Sequence, residues 1–228
     1  MKRNLPLCKL GAMVISALES PFLHVENKEN LPDESAIYAV KHQSFRDMWC
    51  MGVALYQTRG ASAYYPMKAG LPDWFGLIGG IKIYRSEDIK HLIKKAKTVD
   101  AEALLKRDLR AKTEKAFKTL SNILANDDVN SSIIICPEGH RYAHGVGPLR
   151  RTGINMLLTA QSDARDIPIV PVGTEYQGKS AYLRIGKPRT YRTFTEQTAQ
   201  EFRKELAALS NCPVLEEITS QTEQARVS

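Results

Sequence analysis

The chain has little of what defines an extracellular, metal-binding or nucleic-acid-binding protein. Its four cysteines are scattered along the sequence: Cys8, Cys50, Cys136 and Cys212. They form no Cys-x-x-Cys pair of the kind that supplies half of a structural zinc site. We therefore expect reduced thiols, a cytoplasmic location and no metal ion or other cofactor.

Long apolar runs are also missing. No run reaches the length needed to span a bilayer. A basic start followed by the apolar stretch 10–18 has some character of a signal peptide, but Lys9 interrupts it and no small-residue cleavage site follows. There is no internal repeat and no low-complexity linker, so a soluble or surface-bound protein is expected.

What the chain does have is enough apolar sequence for one core and an excess of positive charge. With 228 residues, 43% of them hydrophobic, one compact domain can form without disulfides or metals. The 32 Lys and Arg against 25 Asp and Glu give a formal charge of +7. That charge favours phosphate, nucleic acid or an acidic membrane surface as partner. Because no nucleic-acid motif or aromatic stacking platform accompanies it, we expect no nucleic acid.

Residues 5–20 are predicted to form an amphipathic helix. Lys2, Lys9 and Ser16 recur at seven-residue intervals and leave a broad apolar face. That face either packs on the protein's own core or lies in a membrane interface. We expect a helix at 1–21, a main domain at 22–210 and a loosely held tail at 211–228.

The remaining pattern alternates strands with helices. The runs 131–136 (SSIIIC) and 167–172 (IPIVPV) are apolar and β-branched, as in strands buried on both faces of a parallel sheet. Further strands are expected at 22–26, 36–41, 80–84 and 180–186, and helices at 44–57, 72–78, 87–125 with a break near 98–100, 152–161 and 195–209. The predicted class is α/β, a single domain with a mixed, largely parallel central sheet flanked by helices.

The segment 41–47 (KHQSFRD) places His42 after a predicted strand and Asp47 in the first turn of a helix. A turn of this kind can bring Asp47 to the imidazole of His42, where it would fix the tautomer and raise the basicity. An alternative is purely structural, because Ser44 and Asp47 have the spacing of a capping box.

Two further segments carry charge, and the first of them directly follows a predicted buried strand. In 136–141 (CPEGHR), Glu138 and Arg141 flank Gly139, which permits a tight turn, and the planar guanidinium suits phosphate or carboxylate. Lys68 and Arg85 lie on either side of a glycine-containing, aromatic stretch. All of these charges are equally compatible with a solvated surface.

In this order, the segments resemble the four sequence blocks of the glycerophospholipid acyltransferase family, whose members include the 1-acyl-glycerol-3-phosphate acyltransferases. KHQSFRD resembles the first block, Asn-His-Gln-Ser-x-x-Asp, GGIKIYR the second, CPEGHR the third, Phe-Pro-Glu-Gly-Thr-Arg, and IPIVPV the fourth. The likeness runs from about 25 to about 188. Three positions depart from the family pattern: Lys41 for Asn, Cys136 for Phe and His140 for Thr.

The resemblance implies acyl transfer from acyl-CoA or acyl carrier protein, as co-substrate, to a lysophospholipid at a membrane surface. His42, oriented by Asp47, would be the general base, with no acyl-enzyme needed. Backbone N–H groups near Ser44 would stabilise the oxyanion. An acyl-enzyme on Ser44 or a cysteine is the mechanistic alternative.

The resemblance also supplies roles for the charged residues. Lys68, Arg85 and Arg141 would hold the acceptor phosphate beside Gly139, and Glu138 would order the cations or contact an acceptor hydroxyl. The expected product is phosphatidic acid. A different acceptor, such as glycerol 3-phosphate or a glycolipid, and a noncatalytic lipid-binding module remain the alternatives.

Overall fold

The computed structural model describes residues 5–94, 98–126, 131–162 and 165–215. The α-helices in this part of the chain are α1 (Leu5–Glu19), α2 (Arg46–Arg59), α3 (Ser86–Ile93), α4 (Val99–Leu124), α5 (Arg151–Leu158) and α6 (Glu196–Leu209). The strands are β1 (Leu23–Glu26), β2 (Ile37–Val40), β3 (Tyr65–Lys68), β4 (Gly80–Ile83), β5 (Ile133–Ile135), β6 (Pro168–Gln177), β7 (Ser180–Ile185) and β8 (Arg189–Thr190).

The central sheet is mixed and largely parallel. Its strand order is β1-β7-β6-β2-β5, with β8 paired to the start of β6. The pairs β1–β7, β6–β2 and β2–β5 are parallel, whereas β6–β7 and β6–β8 are antiparallel. The parallel pair β3–β4 lies next to β5, because Tyr64 bridges Ile133. The predicted α/β class with helices around a mixed sheet is confirmed.

Burial on both faces explains the apolar strand runs. In β2, Ile37 and Ala39 point into the core under α4, α5 and α6, while Tyr38 and Val40 point into the core under α2. The strands β5 and β6 alternate between the same two cores. Every side chain of β2 is buried, so no position favours a polar residue.

Helix ends follow from capping residues where the structure provides them. Thr98 caps α4 by accepting a hydrogen bond from the N–H of Ala101 at 3.2 Å, and Thr195 caps α6 in the same way. Gly60 ends α2 with a φ of 59°, a left-handed conformation that glycine adopts readily.

Two of the boundaries that differ from those expected have a direct cause in the structure. The helix predicted from 44 begins at Arg46, because residues 43 and 44 are bound by Asp47 in the preceding turn. The strand predicted at 167–172 continues to Gln177 through its antiparallel pairing with β7. Most of the predicted tail 211–228 lies outside the described residues, but Pro213 and Leu215 both hydrogen bond to Val146.

Helix α1 packs on α2 through polar contacts. Ser16 and Ser20 accept hydrogen bonds from Gln57, and Glu19 pairs with Arg46 at 2.6 Å. The apolar side chains on its outer side are exposed: Leu10, Met13, Val14 and Leu18. Within the described residues, no helix is both long and apolar enough to cross a membrane.

Candidate active site

The carboxyl ends of parallel strands bring the predicted site residues to one edge of the sheet. His42 follows β2, the turn 136–141 follows β5, Lys68 ends β3, and Arg85 follows β4. The strands run in the same direction, so the segments that leave them open on the same side.

His42 and Asp47 are in contact. The Nδ1 atom of His42 lies 3.2 Å from an Oδ2 atom of Asp47, whose side chain is fully buried, while the imidazole remains 18% exposed. With Nδ1–H donating to the carboxylate, Nε2 carries the lone pair that a general base requires. No residue in the described part of the chain hydrogen bonds to Nε2.

Asp47 is also held by the backbone and by Tyr176. Its Oδ2 accepts hydrogen bonds from the N–H groups of Gln43 and Ser44, each at 2.7 Å, and its Oδ1 accepts one from the Tyr176 hydroxyl at 2.6 Å. The carboxylate of Asp47 thus binds the N–H of Ser44, as in a capping box, and at the same time contacts the imidazole of His42. The structural and the functional interpretations of Asp47 are therefore compatible. Burial raises the pKa of the Tyr176 phenol, and the neighbouring Asp47 adds to the shift, so Tyr176 stays a donor.

Lys41 and Glu138 form a buried ion pair behind His42. Their charged atoms lie 3.3 Å apart and neither side chain is exposed. Glu138 accepts hydrogen bonds from the N–H groups of His42 at 2.6 Å and Gly147 at 2.9 Å. Lys41 donates to the carbonyls of His42 at 3.1 Å and Tyr142 at 2.7 Å. The pair thus fixes the His42 peptide from both sides.

These contacts bear on the role of Glu138. Both of its carboxylate oxygens are occupied by protein donors in the interior. An acceptor hydroxyl would have to displace them, so the geometry favours a role in ordering the site. Burial raises the pKa of Glu138, against the lowering effects of the His42 N–H and of Lys41.

Gly139 and Arg141 follow in the same turn. Gly139 has a φ of +70°, and a Cβ there would lie 2.7 Å from Nε of Arg150. Only glycine suits this position, as the sequence predicted. Arg141 is exposed and lines the same cavity as His42; its side chain makes no hydrogen bond or ion pair with the described residues.

Lys68 and Arg85 converge on one carboxylate. Asp88 lies 3.4 Å from Nζ of Lys68 and 3.0 Å from Nε of Arg85. Partial burial would raise the pKa of Asp88, but hydrogen bonds from Arg85 lower it overall. The structure therefore places both cations in one group with a net positive charge, on the β3–β4 side of the cavity.

The cavity that joins these groups has a volume of about 1530 Å³. One part of its wall is apolar and aromatic: Phe45, Met48, Trp49, Leu71 and Phe75. Another part is cationic: Lys68, Arg85, Arg141, Arg150 and Arg151. His42 lines the same cavity, so it suits a molecule with an apolar tail and an anionic group.

The cysteines near the site are poor nucleophiles. Burial raises the pKa of Cys136 well above its ordinary value, and the nearby carboxylates of Asp47 and Glu138 raise it further. Burial also raises the pKa of Cys50 to about 12. Because the thiolate is the reactive form, neither residue favours an acyl-enzyme.

The structure narrows the expectation about which N–H groups could stabilise the oxyanion. The N–H groups of Gln43 and Ser44 donate to Asp47, and the N–H of His42 donates to Glu138. They are therefore not available to a tetrahedral intermediate. The same bonds that hold His42 and Asp47 in place therefore occupy these three N–H groups.

The sequence did not identify Tyr176, Arg150 or the role of Lys41. Tyr176 lies beyond the predicted end of its strand, at 172, so it carried no signal. Arg150 has the character of an ordinary surface residue in the sequence, and only the fold brings it over Gly139. Across the described residues, no group of three potential metal ligands comes together.

The fold and the site define an α/β enzyme with a histidine–aspartate pair in a cleft that suits a lipid. Residues 22–175 match the family model named Acyltransferase, so the chain belongs to the acyltransferase family. The resemblance to the glycerophospholipid acyltransferases is confirmed. No curated protein sequence matches the chain significantly.

The fold is similar to the crystal structure of PlsC, the 1-acyl-sn-glycerophosphate (LPA) acyltransferase of Thermotoga maritima. The match has a TM-score of 0.54 and a sequence identity of 16%, and it covers 91% of this chain and 80% of that one. At this identity the likeness establishes the fold alone.

Proposed function

We propose that the protein transfers a fatty acyl group from acyl-CoA or acyl carrier protein to 1-acyl-glycerol-3-phosphate, giving phosphatidic acid. The observation that carries the proposal is the contact between His42 and Asp47 at 3.2 Å, in a cavity with both cationic and apolar walls. Family membership supports acyl transfer in general.

In this mechanism, His42 is the general base. Its Nε2 accepts the proton of the acceptor hydroxyl while the hydroxyl oxygen attacks the thioester carbonyl carbon. The tetrahedral intermediate then collapses, the carbon–sulfur bond breaks, and the proton returns from the imidazolium to the leaving thiolate. Asp47 stabilises the imidazolium, as an acid does in a catalytic triad.

The cations would bind the acceptor phosphate. Arg141 offers a planar guanidinium in the cavity, and the Lys68–Arg85 group retains a net positive charge beside Asp88. A phosphate held by these groups would present the acceptor hydroxyl to His42, so that binding energy is used for orientation.

The acyl chains would lie on the aromatic wall, and the protein would sit on the cytoplasmic face of a membrane. Phe45, Trp49, Phe75 and Trp74 form a chain of ring contacts, with centroid distances of 5.9, 6.3 and 4.0 Å, from the cavity to the surface. The exposed apolar face of α1 supports peripheral binding, because burying such a face in a lipid interface lowers the free energy of the system.

The test is release of CoA thiol from long-chain acyl-CoA, with and without lysophosphatidic acid, for the native protein and His42→Ala. We expect acceptor-dependent release that is lost in the variant. Arg141→Ala should mainly raise the KM for phosphorylated acceptors. An active His42→Ala protein would refute the assignment of the base, and native protein that fails with both donors and all lysophospholipids would refute the proposed function.

A further inference from the structure

Arg150 is held in a defined position at the cationic wall of the cavity. The proposed function gives this arginine no role. Its N–H donates to the carbonyl of Pro137 at 2.7 Å. Its side-chain stem lies over the turn at Gly139, where an added Cβ would meet Cδ at 2.8 Å and Nε at 2.7 Å. The absence of a side chain at Gly139 is what lets this arginine cross the turn.

The guanidinium of Arg150 is aimed by His140. The Nη2 atom of Arg150 lies 2.6 Å from Nε2 of His140, and both residues line the cavity with His42. A guanidinium can only donate, so Nε2 is the acceptor in this contact. The imidazole orients the guanidinium and, unlike a carboxylate, adds no negative charge of its own. Part of the conformational entropy that a long side chain loses on binding an anion is therefore already lost.

The position differs from that of Lys68 and Arg85, and it shares the β5 side of the cavity with Arg141. Lys68 and Arg85 share the carboxylate of Asp88 and belong to the β3–β4 side. Arg150 precedes α5, on the β5 side. Acyl transfer from a phosphopantetheine thioester to a phosphorylated acceptor involves a phosphate ester on each substrate. One group of cations accounts for only one of them.

We propose that Arg150, positioned by His140, binds a second phosphate ester in the cavity. The proposal rests on the proposed function for the identity of the two candidate phosphates, which are the phosphates of the acyl donor and the headgroup of the acceptor. The group recognised is the same in both cases, a phosphate oxygen pair facing a planar guanidinium.

The experiment measures equilibrium binding by calorimetry, with CoA as the donor probe and glycerol 3-phosphate as the headgroup probe. Arg150→Gln is compared with Arg150→Lys and with Arg192→Gln, a charge-matched control at an exposed position outside the cavity. We expect Arg150→Gln to weaken one probe roughly tenfold to a hundredfold, Arg150→Lys to weaken it less, and Arg192→Gln to bind as the native protein does.

The two probes distinguish the two substrates from which the phosphate could come. Loss confined to CoA identifies the donor, and loss confined to glycerol 3-phosphate identifies the acceptor; His140→Ala should weaken the same probe by a smaller factor. Three results would overturn the proposal. Arg150→Gln could bind both probes with native affinity, or Arg192→Gln could lose as much affinity as Arg150→Gln does. The native protein could also bind neither probe. Because no turnover is needed, a protein that binds CoA through Arg150 but transfers no acyl group would refute only the proposed function.

Discussion

Replacing Glu138 with glutamine removes the negative charge that faces Lys41 in the interior and changes the side-chain volume very little. The carboxylate accepts from His42, Gly147 and Lys41, whereas an amide has one acceptor oxygen and directs its NH2 group at a donor. Lys41 would keep its charge with no exposed surface. Breaking a buried pair in this way costs about 3–5 kcal/mol of unfolding free energy.

For a chain of this length, each kcal/mol lowers the melting temperature by about 2–4 °C, so Glu138→Gln should melt about 6–20 °C below the native protein. Urea unfolding monitored by circular dichroism gives the free energy directly. Glu196→Gln is the matched control, because its partner Arg151 lies 3.1 Å away at an exposed pair. Glu196→Gln should lower the free energy of unfolding by less than about 1 kcal/mol.

The double variant Lys41→Met, Glu138→Gln separates charge from packing. With both charges removed, neither one is left unpaired in the interior. Removing both charges should therefore restore at least half of the lost stability. The reasoning would be refuted if the unfolding free energy of Glu138→Gln lay within about 1 kcal/mol of the native value. It would also be refuted if the double variant were no more stable than the single one.

Four further predictions concern the site and the surface. Asp47→Asn should lower kcat in the thiol-release assay by about 10²–10⁴-fold, because the amide no longer stabilises the imidazolium. Tyr176→Phe removes one donor to Asp47 and should lower kcat roughly tenfold with KM little changed. Cys136→Ala should keep kcat within about a factor of three, because the raised pKa of its thiol disfavours an acyl-enzyme. Leu18→Asp should reduce cosedimentation with anionic vesicles several-fold, whereas Val99→Asp, at a position 82% exposed on α4, should not.

The fold was predictable where burial leaves a pattern in the sequence. The runs at β2, β5 and β6 are apolar on both faces, and the helices that cover them have periodic apolar positions. The features that could not be predicted depend on which strands pair with each other. The extension of β6 to Gln177 requires the partner strand β7, and nothing local to those residues indicates it.

The site divides in the same way. His42 and Asp47 are five residues apart, so a turn after a strand suffices to bring them together. The partners of Glu138 lie 96 and 9 residues away, at His42 and Gly147, and the hydroxyl that reaches Asp47 comes from a strand 129 residues later. Contacts of that range are set by the order of strands in the sheet.

The departure from the family pattern at Lys41 gains a physical reason from these contacts. Lysine there supplies a charge for Glu138 and donors for two carbonyls, where an asparagine side chain is too short to span the same three partners. If Lys41 serves mainly to hold the His42 peptide, Lys41→Asn should lower kcat more than it raises KM for either substrate. Steady-state kinetics with separate donor and acceptor titrations decides this, and an increase in KM with native kcat would instead assign Lys41 to binding.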